Sequence, residues 1–372
     1  MATSAGLVLA LGMALGVATG CTTQSPNPES QSSSPSVSPV SPSPIPMPTP
    51  ITTPSPSASP SQPLSPLTGR VQSNPQPVLV VKLDNTRNSQ PHAGLKDADL
   101  IYIEEVEYGI TRLAAVFSST VPDRIGPVRS ARITDLDLLS QYGSPGFAFS
   151  GAQQKLWPEI ANSPLVDLSA NKAPSDYERD PNRRAPYNYF FNGKSALETR
   201  DDISVDRNIG FLFSDEIPPN GDFNESARVE WSYASAGFTY DPSNMQYAVR
   251  LNGERATSEE GDGLQWADTV VIQLVKQRPS EYFDRGGGNT PHADTIGKGD
   301  ALILRNGMSF KAKWSRPDAN SGTIFTTELG IPIPFKPGQT WIALYDKTRD
   351  IKLKPREKSN AASFPAPSPT PS

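Results

Sequence analysis

Arginines are concentrated in one stretch of the sequence, from Gly109 to Arg132. Asp123 is the one acidic residue in this stretch, and four arginines fall within twenty-one positions: Arg112, Arg124, Arg129 and Arg132. A guanidinium can pair with a carboxylate or a phosphate through two parallel hydrogen bonds. Ser130 precedes a predicted helix, whose first backbone amides could add donors for an anion. The stretch therefore predicts a site for a polar or anionic ligand.

Acidic residues lie upstream, at Asp84, Glu104 and Glu107. Two carboxylates facing each other across a sugar polymer could act as general acid and base, and their separation would decide the stereochemical outcome. The same oxygens could help to bind a hard cation. A third possibility is that they neutralise the arginines in an internal network that binds no ligand. They are the candidate catalytic residues, although the sequence favours a protein that is not an enzyme.

A second polar segment, Tyr177 to Asn192, adds Arg179 and Asn188 as candidate ligand-binding residues. Ser150 is also placed to contribute, since it follows a short apolar run that predicts a strand. In α/β sheets, ligands gather beyond the carboxyl ends of strands. Both segments could therefore contribute to the same site as the arginine stretch.

Cysteine and histidine are scarce in the 372 residues: Cys21 is the one cysteine, and His92 and His292 are the two histidines. Disulfides within the chain, cysteine zinc sites and multi-histidine metal centres are excluded. The net charge of -5, without a basic run, argues against nucleic-acid binding, which needs clustered surplus Lys and Arg. We predict no cofactor and no metal. Each histidine follows a proline in a short polar segment, which indicates an exposed loop.

The N-terminus has the features of a lipoprotein signal. Leu7 to Ala18 is an apolar run of signal-peptide length, too short to span a bilayer as a permanent helix. It leads into Ala18-Thr19-Gly20-Cys21, small residues before a cysteine, which resembles a bacterial lipobox. We predict a signal peptide and lipobox over residues 1–21 with lipidation at Cys21, and hence a protein anchored outside the cytoplasm to a bacterial membrane. The alternative is an ordinary cleaved signal.

Proline-rich segments flank the body of the chain. Residues 22–73 are mostly Pro, Ser and Thr, a composition that cannot bury enough apolar surface to offset the entropy of ordering. We predict a disordered linker there and a disordered tail over residues 354–372. Between them, the change to short alternating runs predicts one domain over residues 74–230 and a second over residues 231–353.

The first domain is predicted to be α/β, of mixed α+β type, because strand patterns alternate with helical ones. Strands are expected at residues 77–83, 100–106 and 110–118. A helix is expected from Ala131 to Tyr142, with Ser130 as its N-cap and Asp135 towards solvent. The second domain is predicted to be smaller and mostly antiparallel β, with tight hairpins at Asn252-Gly253 and Asn306-Gly307.

Several strings resemble the YerB-like bacterial lipoproteins, a family classed as a domain of unknown function. The most specific is Gly126-Pro127-Val128-Arg129-Ser130-Ala131-Arg132, and Pro337-Gly338-Gln339-Thr340-Trp341 resembles the family's C-terminal domain. Tyr108 stands where the family often has glycine, and Tyr187 where it often has histidine. The resemblance implies a membrane-anchored, extracytoplasmic protein of two domains, and no established reaction.

Together these features predict an envelope lipoprotein that binds a polar or anionic ligand, such as a cell-wall fragment, or a partner protein. One alternative is a cell-wall glycan hydrolase that uses the paired carboxylates. The other is a structural scaffold without a ligand.

Overall fold

The computed structural model describes residues 62–356. Cys21, the predicted signal segment, and most of the predicted linker and tail lie outside this range. The described structure begins before the predicted linker ends at residue 73. Leu64 and Val71 form a bridge, Leu67 is fully buried, and the Gly338 amide donates to the Thr68 carbonyl oxygen at 2.8 Å. The body therefore starts earlier than the composition predicts.

Strands make up most of the regular structure. The first seven are β1 (Leu79–Asp84), β2 (Leu100–Glu105), β3 (Thr111–Phe117), β4 (Gly146–Ala148), β5 (Val166–Asp167), β6 (Tyr177–Arg179) and β7 (Tyr189–Phe191). The others are β8 (Asp222–Glu230), β9 (Ser235–Asp241), β10 (Gln246–Leu251), β11 (Glu254–Arg255), β12 (Trp266–Ala267), β13 (Thr269–Val275), β14 (Gln277–Phe283), β15 (Asn289–Ala293), β16 (Gly297–Arg305), β17 (Met308–Arg316), β18 (Ile324–Thr326), β19 (Thr340–Asp346) and β20 (Lys352–Pro355).

The α-helices of the described chain are short: α1 (Ile133–Leu139), α2 (Trp157–Asn162) and α3 (Gly193–Glu198). Within residues 62–356, none is long and apolar enough to cross a membrane. Helical structure therefore adds little to the framework, which is built mainly from strands.

Sixteen of the strands in residues 62–356 form one mixed sheet, in the order β11-β10-β9-β8-β17-β16-β13-β19-β2-β3-β1-β4-β5 with β12, β18 and β20 alongside. β19 pairs in parallel with β13 on one side and with β2 on the other. The sheet thus runs without a break across the boundary predicted near residue 230. The structure is therefore a large mixed sheet with few helices. The α/β layering of residues 74–230 stays a prediction.

Apolar side chains cover both faces of the sheet. Along β2, Leu100 and Tyr102 belong to one buried cluster and Ile101 and Ile103 to another. This alternation follows from the two-residue period of a strand. Leucines of α1 belong to the cluster that contains Leu100, so the helix covers that face of the sheet.

The helix predicted from Ala131 to Tyr142 starts later and is shorter, since only residues 133–139 are α-helical. Arg132, and not Ser130, is its N-cap residue, and the Asp135 carboxylate accepts a hydrogen bond from the Arg132 amide at 2.6 Å. Asp135 is fully buried and does not face solvent. The predictions of Ser130 as N-cap and of a solvent-facing Asp135 were therefore wrong.

Candidate functional site: a charge network and the Ser130 pocket

β1, β2 and β3 place charged side chains on one face of the sheet. In the strand register Arg112 lies opposite both Asp84 and Glu104. Lys82, two positions before Asp84, shares this face because side chains alternate along a strand. We call the following eight residues the charge network: Lys82, Asp84, Glu104, Glu107, Arg112, Arg129, Arg132 and Asp135.

Two arginines of the network are matched by carboxylates. Arg132 holds Glu107 through two nitrogens, with Nε 2.5 Å from Oε1 and Nη2 donating to Oε2 at 2.8 Å. Arg129 Nε lies 2.8 Å from Oδ2 of Asp84. Burial alone would raise the pKa of Glu107, but the hydrogen bonds and the positive charge of Arg132 hold it below its ordinary value. Glu107 is therefore ionised at neutral pH.

Arg112 has no carboxylate within ion-pair distance among the residues that the structure describes. Its Nη1 donates to the backbone carbonyl oxygen of Ser130 at 2.6 Å. Burial, and then the positive charge of Arg132, lower the pKa of Arg112 to about 9. The guanidinium is still charged at neutral pH, so it is a surplus positive charge next to Ser130.

Lys82, Glu104 and Asp135 form a buried triad. Lys82 Nζ lies 2.7 Å from Glu104 Oε1 and 2.6 Å from Asp135 Oδ1. Neither oxygen of Glu104 accepts an aligned hydrogen bond. Burial, followed by the negative charge of Asp135, raises the pKa of Glu104 to about 8 despite the nearby Lys82. This shift favours the neutral, protonated form of Glu104.

An open pocket with a volume of about 730 Å³ lies beside this network. Its walls bring Ser130 and Arg132 of the predicted site together with Ser150 and Glu107. We call it the Ser130 pocket, and its remaining lining residues are Gly151, Ala152, Gln153, Gln154, Phe283, Asp284 and Arg285. Its size is within the ~300–1,000 Å³ range of small-molecule sites.

One wall of the Ser130 pocket comes from the turn between β14 and β15. The Tyr108 hydroxyl donates to Oδ1 of Asp284 at 3.1 Å, and the amides of Gly286 and Gly288 donate to the same oxygen at 2.9 and 2.8 Å. Thr290 of β15 donates to the Glu107 carboxylate. The turn is thus fixed to the loop between β2 and β3.

Sequence reasoning did not identify this turn as part of the site. Phe283 is 47% exposed, and Arg285 is exposed without an ion pair within residues 62–356. The available signal was the segment Asp284-Arg285-Gly286-Gly287-Gly288, a glycine-rich turn between two strands. It predicts a hairpin, but its approach to the arginine stretch depends on the tertiary fold.

The other predicted ligand-binding residues lie outside the Ser130 pocket. Arg124 makes ion pairs at 2.7, 2.6 and 3.1 Å with three carboxylates: Glu178, Asp180 and Glu259. Arg179 is exposed and donates to Oδ1 of Asn188 at 3.1 Å. Arg129 does not line the pocket either, because its guanidinium pairs with Asp84.

The three candidate catalytic carboxylates are not brought to one cavity. Glu107 lines the Ser130 pocket, whereas Asp84 and Glu104 do not. Asp84 is held by Arg129 and accepts hydrogen bonds from Thr86, and Glu104 is only 1% exposed. Asp84, Glu104 and Glu107 therefore do not face each other across this pocket, as the hydrolase hypothesis requires.

Both histidines are buried, so the prediction that they are exposed was wrong. His92 does lie in a loop, whereas His292 lies in a strand. His92 Nε2 lies 2.7 Å from the Asp84 carbonyl oxygen, and burial lowers the pKa of His92. The Glu259 amide donates to the His92 carbonyl oxygen at 2.8 Å. His292 lies in β15 with Nε2 2.8 Å from Oδ2 of Asp137. Each histidine joins segments that are far apart in sequence.

Comparison with known proteins agrees with the sequence resemblance. The N-terminal domain of a protein of unknown function (DUF3048) matches residues 67–205, and its C-terminal domain matches residues 227–342. A Bacillus subtilis (strain 168) protein named "Putative lipoprotein YerB" is 26% identical over 301 residues, which cover 75% of this chain and 85% of that protein. The crystal structure of YerB protein from Bacillus subtilis has a TM-score of 0.67 at 21% identity, covering 78% of this chain and 100% of that chain. The structural likeness shows a shared fold.

Proposed function

The chain belongs to the DUF3048 family, and on that premise we propose that it is an extracytoplasmic lipoprotein that binds a polar envelope ligand in the Ser130 pocket. We infer a ligand rich in hydroxyl groups that carries one acidic group, such as a fragment of a cell-wall glycan. The observation that carries this proposal is an open cavity lined by Ser130, whose backbone carbonyl oxygen accepts a hydrogen bond from Arg112. Arg112 does not line the cavity, and it is the arginine of the charge network without a carboxylate partner in residues 62–356.

Anchoring through Cys21 is supported by the sequence and by the name of the relative. An apolar run from Leu7 to Ala18 precedes the small residues before Cys21, as in a lipoprotein signal. The similar Bacillus subtilis protein is named a putative lipoprotein. A lipid on Cys21 would place the folded body on the outer side of a bacterial membrane.

Charge counting supports one acidic group on the ligand. On the pocket walls, Glu107 pairs with Arg132, while Asp284 and Arg285 add one charge of each sign without forming an ion pair with each other. Arg112 adds a positive charge behind the Ser130 carbonyl oxygen. A ligand with a single negative charge would offset this surplus, because charges interact strongly where burial lowers the effective dielectric constant.

The remaining pocket surface suits a sugar. Ser130, Ser150 and the amides of Gln153 and Gln154 can donate to and accept from hydroxyl groups. The half-exposed ring of Phe283 supplies an apolar face, on which the C–H face of a sugar ring can pack. This combination favours a hydroxyl-rich ligand over a purely apolar one.

Binding is favoured over glycan hydrolysis because the pocket carboxylates are already occupied. A hydrolase needs one carboxyl group with a raised pKa and a second carboxylate across the scissile bond. Glu107 has a lowered pKa and is held by Arg132. Asp284 accepts hydrogen bonds from its own turn and from Tyr108. Glu107 therefore lacks the raised pKa that a general acid needs.

The scaffold alternative has support from the matched arginines Arg124, Arg129 and Arg132. The scaffold alternative requires, however, that each arginine of the stretch pair with a carboxylate of the chain and that no cavity remain beside them. The Ser130 pocket and the exposed Arg285 on its rim favour a ligand site instead.

A direct test titrates soluble fragments of purified cell wall into the full chain by isothermal titration calorimetry. Ser150→Leu would place a larger apolar side chain in the pocket, and within residues 62–356 the Ser150 hydroxyl makes no hydrogen bond that the fold would lose. We expect this change to weaken binding about tenfold or more, equivalent to ~1.4 kcal/mol. Fragments with amidated carboxyl groups should also bind about tenfold more weakly, since one charge-assisted contact is lost.

Ser243→Leu is the matched control, because Ser243 is an exposed turn residue outside the pocket. It should leave the affinity unchanged. The proposal fails if wild type shows no saturable binding, or if Ser150→Leu binds as tightly as wild type while unfolding at the same temperature.

A further inference from the structure

A second cavity lies between the loop that follows β1 and the loop that joins β6 to β7. Its volume is about 690 Å³, and its walls contain three arginines, Arg87, Arg183 and Arg184, with Gln90 and Tyr187. No Asp or Glu belongs to this lining. We call it the Arg184 pocket. It shares no lining residue with the Ser130 pocket.

Arg183 is fixed in place before any ligand arrives. Its Nη1 donates to the Pro91 carbonyl oxygen at 2.9 Å and its Nη2 to the Ser89 carbonyl oxygen at 2.7 Å. Glu259 approaches Nη1 at 3.2 Å, and the Arg183 side chain is only 14% exposed. The guanidinium therefore loses little conformational entropy when it contacts a ligand.

Arg87 and Arg184 supply positive charge that is weakly compensated. Nη1 of Arg87 lies 3.5 Å from Oε1 of Glu254, and the two side chains are 64% and 60% exposed. Solvent therefore screens this ion pair. Arg184 is exposed and makes no ion pair within the described part of the chain. The carboxylates of Glu254 and Glu259 are not on the cavity wall. The lining is thus positive, and the carboxylates that pair with its arginines are not part of it.

Gln90 adds a donor to this wall. Its Oε1 accepts hydrogen bonds from the amide and the hydroxyl of Thr257, at 2.8 and 3.3 Å. With the oxygen occupied, the side chain offers its amide hydrogens to a ligand. The wall therefore combines three guanidinium groups with an amide donor and presents few acceptors.

We propose that the Arg184 pocket binds the phosphate group of a phosphorylated sugar or polyol. Planar guanidinium groups pair with phosphate oxygens through two hydrogen bonds each. The cavity volume exceeds that of a single phosphate and lies within the ~300–1,000 Å³ range of small-molecule sites, so the attached sugar or polyol has room. A concave site of this kind fits a phosphate ester better than the flat surface of a bilayer. This inference does not depend on the proposed function of the Ser130 pocket.

The test uses glycerol 3-phosphate and inorganic phosphate as probes, titrated into the full chain by calorimetry. Glycerol 3-phosphate should bind saturably. Arg87→Gln and Arg184→Gln should each weaken binding about tenfold, as expected for loss of a charge-assisted contact. Both residues are exposed, so the variants should fold as wild type does, which thermal unfolding would check.

Arg278→Gln is the matched control, since Arg278 is a half-exposed arginine paired with Asp294 and absent from the cavity wall. It should bind glycerol 3-phosphate as wild type does, and so should Ser150→Leu, which alters the other pocket. Failure of wall-fragment binding with retained phosphate binding would thus affect only the proposed function.

Three results would overturn the phosphate site. The first is no saturable binding of either phosphate probe. The second is equal affinity of wild type, Arg87→Gln and Arg184→Gln. The third is binding of the Cys21→Ser chain to vesicles of phosphatidylglycerol without binding of glycerol 3-phosphate, which would assign the arginines to a membrane surface.

Discussion

Glu104→Gln should stabilise the protein, and the gain should grow as the pH rises from 5 to 8. Glu104 is 1% exposed, and neither of its oxygens accepts an aligned hydrogen bond. Burial and the charge of Asp135 raise its pKa from 4.5 to about 8. A carboxyl group with a raised folded-state pKa favours folding below its unfolded pKa, and this contribution is lost as the pH rises through the folded pKa. Glutamine keeps the neutral, hydrogen-bonding shape of the protonated acid at every pH.

The size of the gain follows from the two pKa values. At pH 7, about 2.5 pH units above its ordinary pKa of 4.5, the Glu104 carboxyl is ionised in the unfolded chain. In the folded protein the raised pKa of about 8 favours the protonated form. Each pH unit corresponds to ~1.4 kcal/mol, so the free energy of unfolding of the wild-type protein at pH 7 should be up to about 3 kcal/mol lower than that of the variant. At pH 4.5 and below, the two proteins should be nearly equal in stability.

Urea unfolding of both proteins at a series of pH values measures this difference directly. Glu198→Gln, at an exposed position of α3, is the control and should show no comparable trend. The reasoning is refuted if Glu104→Gln is less stable than wild type by the same amount at all pH values. That result would mean that Glu104 is ionised and stabilised by Lys82.

Three further predictions concern the same structure. Arg132→Ala leaves the Glu107 carboxylate buried without its partner and should cost about 3–5 kcal/mol of unfolding free energy; a double-mutant cycle with Glu107→Ala should show strong coupling, and additive losses would contradict the ion pair. Gly288→Ala places a methyl group 2.5 Å from the Tyr108 ring and should lower the melting temperature by ~2–4 °C; the loss should disappear in a Tyr108→Gly background. Cys21→Ser should move the protein from the membrane fraction to the soluble fraction, and retention in the membrane would contradict lipidation.

Local structure could be predicted wherever neighbouring residues determine the backbone. The Asn252-Gly253 and Asn306-Gly307 hairpins are confirmed, with φ of 55° and 86° in the first and 53° and 72° in the second. These left-handed values suit Gly, which has no Cβ atom, and Asn, whose short polar side chain tolerates them. The apolar run before Asp84 likewise forms the buried strand β1.

The site could be predicted only in part, because its walls come from distant segments. Ser130 and Arg132 were identified from their own neighbourhood, but Arg285 reaches the same pocket from more than a hundred positions away. Burial of His92 likewise depends on residues near Glu259. Local patterns also predicted the wrong N-cap residue. The Asp135 carboxylate accepts a hydrogen bond from the Arg132 amide, and Arg132 is therefore the N-cap instead of Ser130. Such contacts depend on tertiary packing, which propensity does not contain.

A crystal structure of the full chain with an acidic cell-wall fragment would show directly whether the fragment binds in the Ser130 pocket. When the concentration of free fragment is about tenfold above the dissociation constant, nearly all binding sites are filled. Density for the fragment is expected between Ser130, Ser150 and Phe283, with its acidic group on the side of Arg112. Density for the fragment at another surface, with the Ser130 pocket empty in the same crystal, would contradict it.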